Sequence, residues 1–376
     1  MPNVDFPKKL LQDRPTLHPT AIVYCEKNFG RIDGKTANGL VRYSERYKIL
    51  SVIDSDKAGL NSGEVLDDII NDIPIYRDLD DAITHAGEVP DYLIYGVAPV
   101  SGMLSNNERA LMLKAISLGI NIVNGLHEFL NDDPEFIEAS KANNVTILDI
   151  RKPRCRKELR VFTGRIKEVT CPRIAVLGTD CAIGKRTTAT ILTKALEDYG
   201  INAVMVGTGQ TGLIQGARYG VALDAIASNF CAGEVEAEVV RAFENENPDI
   251  IIVEGQSSLS HPAFSSSAFL LRGSCPNGVV LQHAPKRAHR CDFEHMPMPE
   301  PSDEIKLIET FSDTKVIGLT INHEFMSEDE IDACITQYEE ELEIPATDAL
   351  TRSSEHLVGM VLSAFPGLRK NLPVAI

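Results

Sequence analysis

One segment restricts the fold of this chain more than any other. It is Arg173-Ile-Ala-Val-Leu-Gly-Thr-Asp-Cys-Ala-Ile-Gly-Lys-Arg-Thr-Thr188, an apolar run followed by a loop between two glycines and then a helix start. Gly178 and Gly184 permit backbone conformations that turn N–H groups inward, while the helix start contributes its dipole and Lys185 a positive charge. The segment is typical of a phosphate-binding loop (P-loop), which requires a strand before it and a helix after it.

The loop departs from the usual pattern in two ways. Five residues separate Gly178 from Gly184, and Arg186 stands where a Ser or Thr normally follows the lysine and holds Mg²⁺. Either Thr187 or Thr188 takes that metal role, or no metal is needed. Arg186 can also neutralise a diphosphate directly, because a guanidinium pairs with phosphate through two hydrogen bonds. The residues expected to bind the cofactor are Gly178, Thr179, Asp180, Cys181, Gly184, Lys185, Arg186, Thr187 and Thr188.

A second apolar run ends in an acidic residue, in Asp249-Ile-Ile-Ile-Val-Glu-Gly-Gln-Ser-Ser258. A carboxylate at the carboxyl end of a parallel strand beside a P-loop is placed to hold Mg²⁺ or a substrate amine. Glu254 is therefore the first catalytic candidate, and the alternative is a carboxylate that caps a turn. Asp180 and Glu254 are the candidate metal ligands if Mg²⁺ is used.

Further polar residues follow neighbouring strands of the same half. Gly207-Thr-Gly-Gln-Thr-Gly212 is predicted as a second loop of small residues, or as a plain glycine-rich turn. Loops at the carboxyl ends of parallel strands converge on the ligand crevice, which makes His261 a second catalytic candidate, although a lone histidine is more often structural. Arg287 suits a substrate carboxylate. The expected substrate-binding residues are Gln210, Thr211, Gln256, His283 and Arg287.

Both halves of the chain alternate short apolar runs with segments of helical spacing. In the first half we predict strands over 48–53, 74–76, 92–97, 121–123 and 145–148, and helices over 64–70, 79–85, 106–118 and 134–142. In the second half we predict strands over 173–177, 203–207, 250–253, 278–282 and 315–321, and helices over 185–198, 233–245, 301–311, 327–341 and 354–365. This alternation predicts an α/β fold with two doubly wound parallel sheets, the first Rossmann-like and the second like a P-loop NTPase.

The predicted domains are residues 1–150, a basic linker over 151–172, and residues 173–376. The segment 151–173 contains nine Lys or Arg against two Glu, and it is interpreted either as a solvated bridge or as a basic wall that faces a bound phosphate. The first domain lacks a G-x-G-x-x-G motif, so evidence for NAD(P) binding is weak, and a structural or dimer-forming role is the simplest interpretation.

Composition limits the partners. A net charge of −17 argues against a general nucleic-acid binder, because phosphate contacts need a basic field. No apolar run approaches the roughly 20 residues that span a bilayer, so a membrane role is not expected. The start of the chain lacks the regions of a signal peptide, which makes the cytoplasm the expected location. The eight cysteines form no C-x-x-C pair, which indicates neither a zinc knuckle nor a disulfide framework.

Two resemblances extend this interpretation. Gly178-Thr-Asp180 with Val253-Glu-Gly255 resembles dethiobiotin synthetase and related amide-forming enzymes, in which the corresponding acids bind Mg²⁺. The whole chain is similar to the DgcN-like family, long catalogued as a domain of unknown function with Rossmann-like and P-loop halves. That similarity is carried by Asn28-Phe-Gly-Arg-Ile-Asp-Gly-Lys-Thr-Ala-Asn-Gly39, Gly125-Leu-His127, Asp149-Ile-Arg-Lys-Pro153, Gly178-Thr-Asp-Cys-Ala-Ile-Gly-Lys-Arg-Thr187, Gly207-Thr-Gly-Gln-Thr-Gly212 and Val253-Glu-Gly-Gln256.

The DgcN-like resemblance implies an acetyl-CoA-dependent N-acetyltransferase that acts on D-glutamate in D-glutamate catabolism. Acetyl transfer needs a base and donors for the thioester oxyanion, and Glu254 or His261 is the candidate base. Two other functions stay open: an ATP- and Mg²⁺-dependent ligase like dethiobiotin synthetase, and a nucleotide-sensing protein without turnover. A small amino acid is the expected substrate, and a homodimer is expected from the general frequency of symmetric dimers.

Overall fold

The computed structural model describes residues 18–99, 101–291 and 293–371. The chain divides into two compact units, which differ in size and each contain one large parallel sheet. The first unit is Met1–Glu158 with Leu213–Gly216, and the second is Leu159–Gly212 with Ala217–Ile376. Across the described residues, no helix has the length and apolar character that crossing a membrane requires.

The first unit is built on a six-stranded sheet in the order β3-β2-β1-β4-β5-β6, with every neighbouring pair parallel. Its strands are β1 (Thr20–Tyr24), β2 (Lys48–Ile53), β3 (Ile75–Tyr76), β4 (Tyr92–Tyr95), β5 (Asn121–Asn124) and β6 (Ile147–Asp149). Its helices are α1 (Lys35–Arg42), α2 (Ser62–Asp67), α3 (Leu79–Ala86), α4 (Asn106–Ser117) and α5 (Pro134–Asn143). The Rossmann-like prediction is confirmed.

The second unit contains a seven-stranded sheet in the order β15-β14-β11-β7-β10-β8-β9, again parallel throughout. These strands are β7 (Arg173–Gly178), β8 (Ala203–Gly207), β9 (Tyr219–Gly220), β10 (Ile250–Glu254), β11 (Gly278–His283), β14 (Val316–Ile321) and β15 (Ala346–Asp348), and a small antiparallel pair is β12 (His289–Arg290) and β13 (Phe293–Pro297). The helices are α6 (Lys185–Asp198), α8 (Ser228–Glu246), α9 (Ser266–Ser274), α10 (Pro301–Phe311), α11 (Glu328–Leu342) and α12 (Glu355–Ala364). The short helix α7 (Gln210–Gln215) begins in this unit, and its residues from Leu213 onward belong to the first unit. The P-loop prediction for this half is confirmed.

Strand β7 lies in the middle of the second sheet and is covered on both faces. Its side chains alternate between two apolar clusters: Ala175 and Leu177 belong to one, and Ile174 and Val176 to the other. Burial on both faces explains why the strand reads as a continuous apolar run. The loop that follows β7 therefore leaves a rigid part of the core.

Some elements differ from the sequence prediction. The central strand β1 and the helix α1 were not predicted, and neither were α9 and β15. The segment from Gly207 to Gly212 was predicted as a loop, but α7 begins inside it at Gln210. Helix α8 begins five residues earlier than predicted, at Ser228, so Gly233 lies within it.

The reason for a glycine inside α8 is a close backbone approach. A Cβ at position 233 would lie 2.3 Å from the carbonyl oxygen of Arg160, so only glycine leaves room for this part of the chain. Arg160 also donates to the buried carboxylates of Glu234 and Glu238. Glu236 accepts hydrogen bonds from the backbone N–H and the hydroxyl of Thr163. The middle of the segment predicted as a linker is thus bound to α8.

Candidate ligand site at the P-loop

The candidate site lies where several strands of the second sheet end. The P-loop of residues 179–184 follows β7, and polar residues follow β10, β11 and β14 on either side. Ligands of open parallel sheets bind at this carboxyl edge. The sheet therefore brings together side chains that are far apart in the sequence.

The P-loop backbone has the shape of an anion cradle. Ala182 and Gly184 adopt positive φ angles of 49° and 109°. A Cβ on Gly178 would lie 2.8 Å from the Ile183 side chain and 3.0 Å from Lys185 Cδ, so the close folding of the loop needs glycine there. Helix α6 starts at Lys185, directly after Gly184, which has no side chain to cap the first N–H groups. Those groups and the helix dipole favour a bound anion.

Two cations belong to this cradle. Lys185 is 5% exposed, and its ammonium donates to the carbonyl oxygen of Asp180. Arg186 is half-buried and donates to the Thr187 hydroxyl at 3.3 Å. The lysine thus already folds over the loop, as a phosphate-binding lysine must, and Arg186 adds a second positive charge at the helix start.

The carbonyl groups of the loop are held from outside by two side chains. Arg287 donates to the carbonyl oxygens of Cys181 at 3.1 Å and Ala182 at 2.9 Å, and it is paired with Glu324. Asn322 donates to the carbonyl oxygen of Ile183 at 3.1 Å. Arg287 was predicted to bind a substrate carboxylate. Its contacts instead argue for a role in positioning the loop.

Strand β11 holds the two ends of the loop. Thr179 donates its N–H to the Gln282 carbonyl at 3.0 Å, and the Thr188 hydroxyl donates to Gln282 Oε1 at 2.6 Å. The Thr179 hydroxyl lies 2.9 Å from Nδ1 of His283. Burial lowers the pKa of His283 to about 4, so its imidazole is neutral near pH 7. His283 therefore supports the loop, while the Thr188 hydroxyl points to Gln282.

Asp180 is fully buried among hydrogen-bond donors. Its Oδ2 accepts from the N–H of Cys291 at 2.6 Å. Its Oδ1 lies 3.6 Å from Nε2 of His261 and 3.9 Å from Nη1 of Arg290. Among the described residues, Oδ1 accepts no hydrogen bond that meets ordinary distance criteria. The carboxylate thus faces positive and N–H groups.

The tautomer of His261 bears on both metal binding and catalysis. Nδ1 accepts hydrogen bonds from the N–H groups of Ala263 and Phe264, both at 3.2 Å. The ring proton must then be on Nε2, which faces Asp180, so neither nitrogen offers a lone pair to a proton or a metal. This arrangement argues against His261 as a general base.

A metal was predicted only conditionally, on Asp180 and Glu254. Asp180, Cys181 and His261 each place one ligand-type atom within 4.8 Å of the others. However, a metal-bound imidazole donates its second N–H, whereas here the second nitrogen accepts. Arg186 also occupies the usual metal-binding hydroxyl position of the loop. The group of Asp180, Cys181 and His261 therefore does not fit a divalent metal.

Glu254 lies at the end of β10, against the start of α7. Its Oε2 accepts from the N–H groups of Thr208 at 2.9 Å and Gly209 at 3.3 Å. Burial raises the pKa of Glu254, while these amides and the nearby Arg186 and Lys185 act in the opposite direction. A Cβ at Gly212 would lie 2.5 Å from Oε2, which explains why the segment before and within α7 is rich in glycine.

The three remaining predicted residues lie on the same side of the site as Glu254. Gln210 and Thr211 are buried at the start of α7. Gln256 donates to the Thr208 carbonyl at 2.6 Å, and Thr208 is in turn bonded to Glu254. The structure thus joins Gln256 and Glu254 through one loop residue, and their contacts with substrate stay a prediction.

Sequence reasoning missed several residues of this site. Arg290 donates to the Thr179 carbonyl and the Ser258 hydroxyl, both at 3.2 Å. Asn322 and Gln282, described above, also hold the loop. These residues reach the loop from β12, β11 and the end of β14, and no local motif marks them. For Gln282 and Asn322, only their position within or after predicted strands of the P-loop sheet could have drawn attention to them, and Arg290 lies outside every predicted strand.

The strand, loop and helix geometry defines the second unit as a P-loop domain, and the first sheet defines a Rossmann-like domain. Two family models match accordingly: the domain of unknown function DUF1611_C, a P-loop domain, over residues 160–358, and DUF1611_N, a Rossmann-like domain, over residues 55–153. The chain belongs to the DUF1611 family.

Three relatives illustrate this membership. A protein of Pseudoalteromonas sp, named D-glutamate N-acetyltransferase, is 33% identical over 272 residues, which are 70% of this chain and 79% of the relative. A protein of the same name from Tritonibacter scottomollicae is 29% identical over 274 residues, which are 71% of this chain and 79% of the relative. The crystal structure of a DUF1611 family protein from Anabaena variabilis superposes with a TM-score of 0.84 at 31% identity, covering 92% of this chain and 99% of that one.

Proposed function

We propose that this protein is an acetyl-CoA-dependent N-acetyltransferase that acts on a small acidic amino acid such as D-glutamate, in D-amino-acid catabolism. The observation that carries the proposal is a P-loop cradle with Arg186 in the metal position and donors around Asp180. Two relatives named D-glutamate N-acetyltransferase support the choice of reaction and substrate.

Coenzyme A suits this loop because it ends in a 3′-phospho-ADP group. Its diphosphate needs N–H donors and positive charge, which the start of α6, Lys185 and Arg186 supply. Acetyl transfer involves no phosphoryl chemistry, so the site needs no Mg²⁺ to bridge phosphates. The tautomer of His261, which argues against a metal held by Asp180, Cys181 and His261, is consistent with this reaction.

The substrate amine must lose a proton, and the thioester oxygen needs hydrogen-bond donors in the transition state. Glu254 and His261 were the candidate bases. His261 has the wrong tautomer for that role. Glu254 lies beside the cations that would hold the diphosphate, whereas the pantetheine arm carries the thioester many bonds away. We therefore propose that Glu254 orders the loop and the ligand, and that the base is another residue.

Gln210 and Thr211 are buried at the start of α7, and Gln256 donates to the Thr208 carbonyl, so we propose that these three residues contact the ligand on the Glu254 side of the P-loop. We further propose that the enzyme is a homodimer, which light scattering after size-exclusion chromatography would test. These proposals are independent of the reaction itself, because a monomer with other substrate contacts would still release CoA.

The decisive experiment is mass spectrometry of the purified protein incubated with acetyl-CoA and a panel of D- and L-amino acids. A parallel reaction contains ATP and Mg²⁺ instead of acetyl-CoA. We expect an N-acetylated acidic amino acid and free CoA in the first reaction and no ADP in the second. ADP with no acetylated product would replace the proposal with an ATP-dependent ligase, and binding of either ligand without turnover would indicate a sensing protein.

A further inference from the structure

We propose that His323 is the general base of the transfer reaction and that Asp348 is the residue that positions it; this inference rests on the proposed function. His323 follows β14, and Asp348 is the last residue of β15, the neighbouring strand at the sheet edge. Both therefore lie at the carboxyl edge of the sheet that carries the P-loop.

The contacts of this pair fix the imidazole in the form that a base requires. Nδ1 of His323 lies 2.6 Å from Oδ2 of Asp348, a residue that is 1% exposed. The other carboxylate oxygen, Oδ1, accepts from the N–H groups of Leu350 at 2.7 Å and Thr351 at 3.0 Å. A carboxylate held in this way accepts the Nδ1 proton, which leaves the lone pair on Nε2.

Comparison of three histidines near this edge supports the assignment. His261 carries its ring proton on Nε2 because Nδ1 accepts two amide hydrogen bonds. His283 is buried, and its Nδ1 contacts the Thr179 hydroxyl. The His323 side chain is 33% exposed and has a carboxylate at Nδ1. Of these three, His323 alone combines access for a substrate with the tautomer of a base.

The residues on either side of His323 connect it to the P-loop. Asn322 donates to the Ile183 carbonyl. Glu324 is paired with Arg287, which donates to the carbonyls of Cys181 and Ala182. The imidazole is therefore fixed relative to the phosphate cradle. Strand β14 is the second neighbour of β7, so the two strands are about 10 Å apart at a spacing of about 4.8 Å. This separation leaves room for the arm between diphosphate and thioester.

The proposed step is a direct transfer. The substrate ammonium first loses one proton to solvent. As the amine nitrogen then bonds to the acetyl carbon, Nε2 of His323 accepts the second proton from that nitrogen. The carbon–sulfur bond breaks as the tetrahedral adduct collapses, and the thiolate takes the proton from the imidazolium. The products are the N-acetylated amino acid and CoA thiol, and the imidazole returns to its neutral form.

Two isosteric substitutions test this assignment. His323→Asn places an amide N–H near the position of Nδ1, so it keeps the hydrogen bond to Asp348 but has no base. Asp348→Asn still accepts from the two backbone N–H groups, but its amide donates to Nδ1 and forces the ring proton onto Nε2. The matched control is His85→Gln, because His85 also forms an Nδ1 pair with an aspartate, Asp81, at 3.1 Å on helix α3 of the other unit.

The measurements are kcat and KM for N-acetylation by the full-length variants, with CoA affinity by calorimetry and thermal melting as checks of the fold. We expect His323→Asn to lower kcat by roughly 10²- to 10⁴-fold, with KM for acetyl-CoA and CoA affinity close to the wild-type values. Asp348→Asn should also lower kcat selectively, and His85→Gln should match the wild type.

Three results would overturn the assignment. His323→Asn with wild-type kcat would show that the imidazole serves only as a hydrogen-bond donor to Asp348. A fall in kcat accompanied by equal losses of CoA affinity and melting temperature would show a structural role. If the wild-type protein itself forms no N-acetylated product, the proposed function fails and this inference fails with it; in the first two cases the proposed function stands.

Discussion

Replacement of Lys185 by alanine is the most direct test of the P-loop. The ammonium is 5% exposed and already donates into the loop, to the carbonyl of Asp180. A hydrogen bond to a charged group contributes about 1.5–3 kcal/mol. Since about 1.4 kcal/mol corresponds to a tenfold change in Kd, loss of one such contact should weaken CoA binding by roughly 10- to 150-fold.

The assay is isothermal titration of CoA into the wild type, Lys185→Ala and a control, Lys194→Ala. Lys194 lies on the same helix, is exposed and pairs with Asp198 at 3.1 Å, so its loss should leave affinity unchanged. Alanine at 185 is a strong helix former, so the fold should lose about 1.5–3 kcal/mol, chiefly from the missing contact to Asp180. Unchanged CoA affinity in a well-folded Lys185→Ala protein would refute the assignment of residues 178–185 as the ligand cradle.

Three further predictions concern stability and loop shape. Arg160→Ala should lower the free energy of unfolding by about 3 kcal/mol in urea titration, because it removes the guanidinium that pairs with the buried Glu234 and Glu238, of which only Glu238 also pairs with Arg241. Arg165→Ala breaks only exposed pairs, so it should have a much smaller effect. Gly184→Ala should cost roughly 1–3 kcal/mol and weaken CoA binding in the same calorimetric assay, because φ is 109° there. Folding lowers the pKa of His283 from 6.5 to about 4, so the unfolded chain takes up the proton first as the pH falls. The free energy of unfolding should therefore decrease by up to about 3 kcal/mol as the pH is lowered from 6.5 to 4. His283→Gln should reduce this pH dependence of the free energy of unfolding.

Much of the fold could be predicted, because the spacing of apolar residues is clear in long elements and because residues such as proline and glycine mark where helices begin. Helix α10 was predicted with its observed bounds, and Pro301 at its first turn marks the start. Helix α6 was likewise predicted with its observed bounds, because Gly184 and Lys185 mark its start. By contrast, the glycines around α7 hide a helix that forms because they let it approach Glu254. Tertiary packing, which local patterns do not record, determines this helix.

The loop of the candidate site could be predicted, but its supports could not. Strand, glycines and lysine are contiguous, so the sequence from Gly178 to Lys185 carries the whole signal. The contact from Arg287 to the loop carbonyls spans more than a hundred residues, and so does that from Asn322. The sequence also does not show which atom of a side chain donates a hydrogen bond and which accepts one. His261 was a plausible base from its place after β10, and only the two amides that point at Nδ1 show that its tautomer is wrong for the role.

The basic segment 151–173 bears on how this acidic chain holds an anion. Arg160 and Arg165 pair with glutamates, and Arg173 donates to backbone carbonyls such as those of Val169 and Ser274. These three charges therefore neutralise or support the protein itself, which argues against a role for them in a basic wall for phosphate. Lys185 and Arg186 then supply the positive charge at the cradle. Burial raises the pKa of the adjacent Glu254, whereas the positive charges of Arg186 and Lys185 act in the opposite direction, so this carboxyl and the two cations of the cradle are electrostatically coupled.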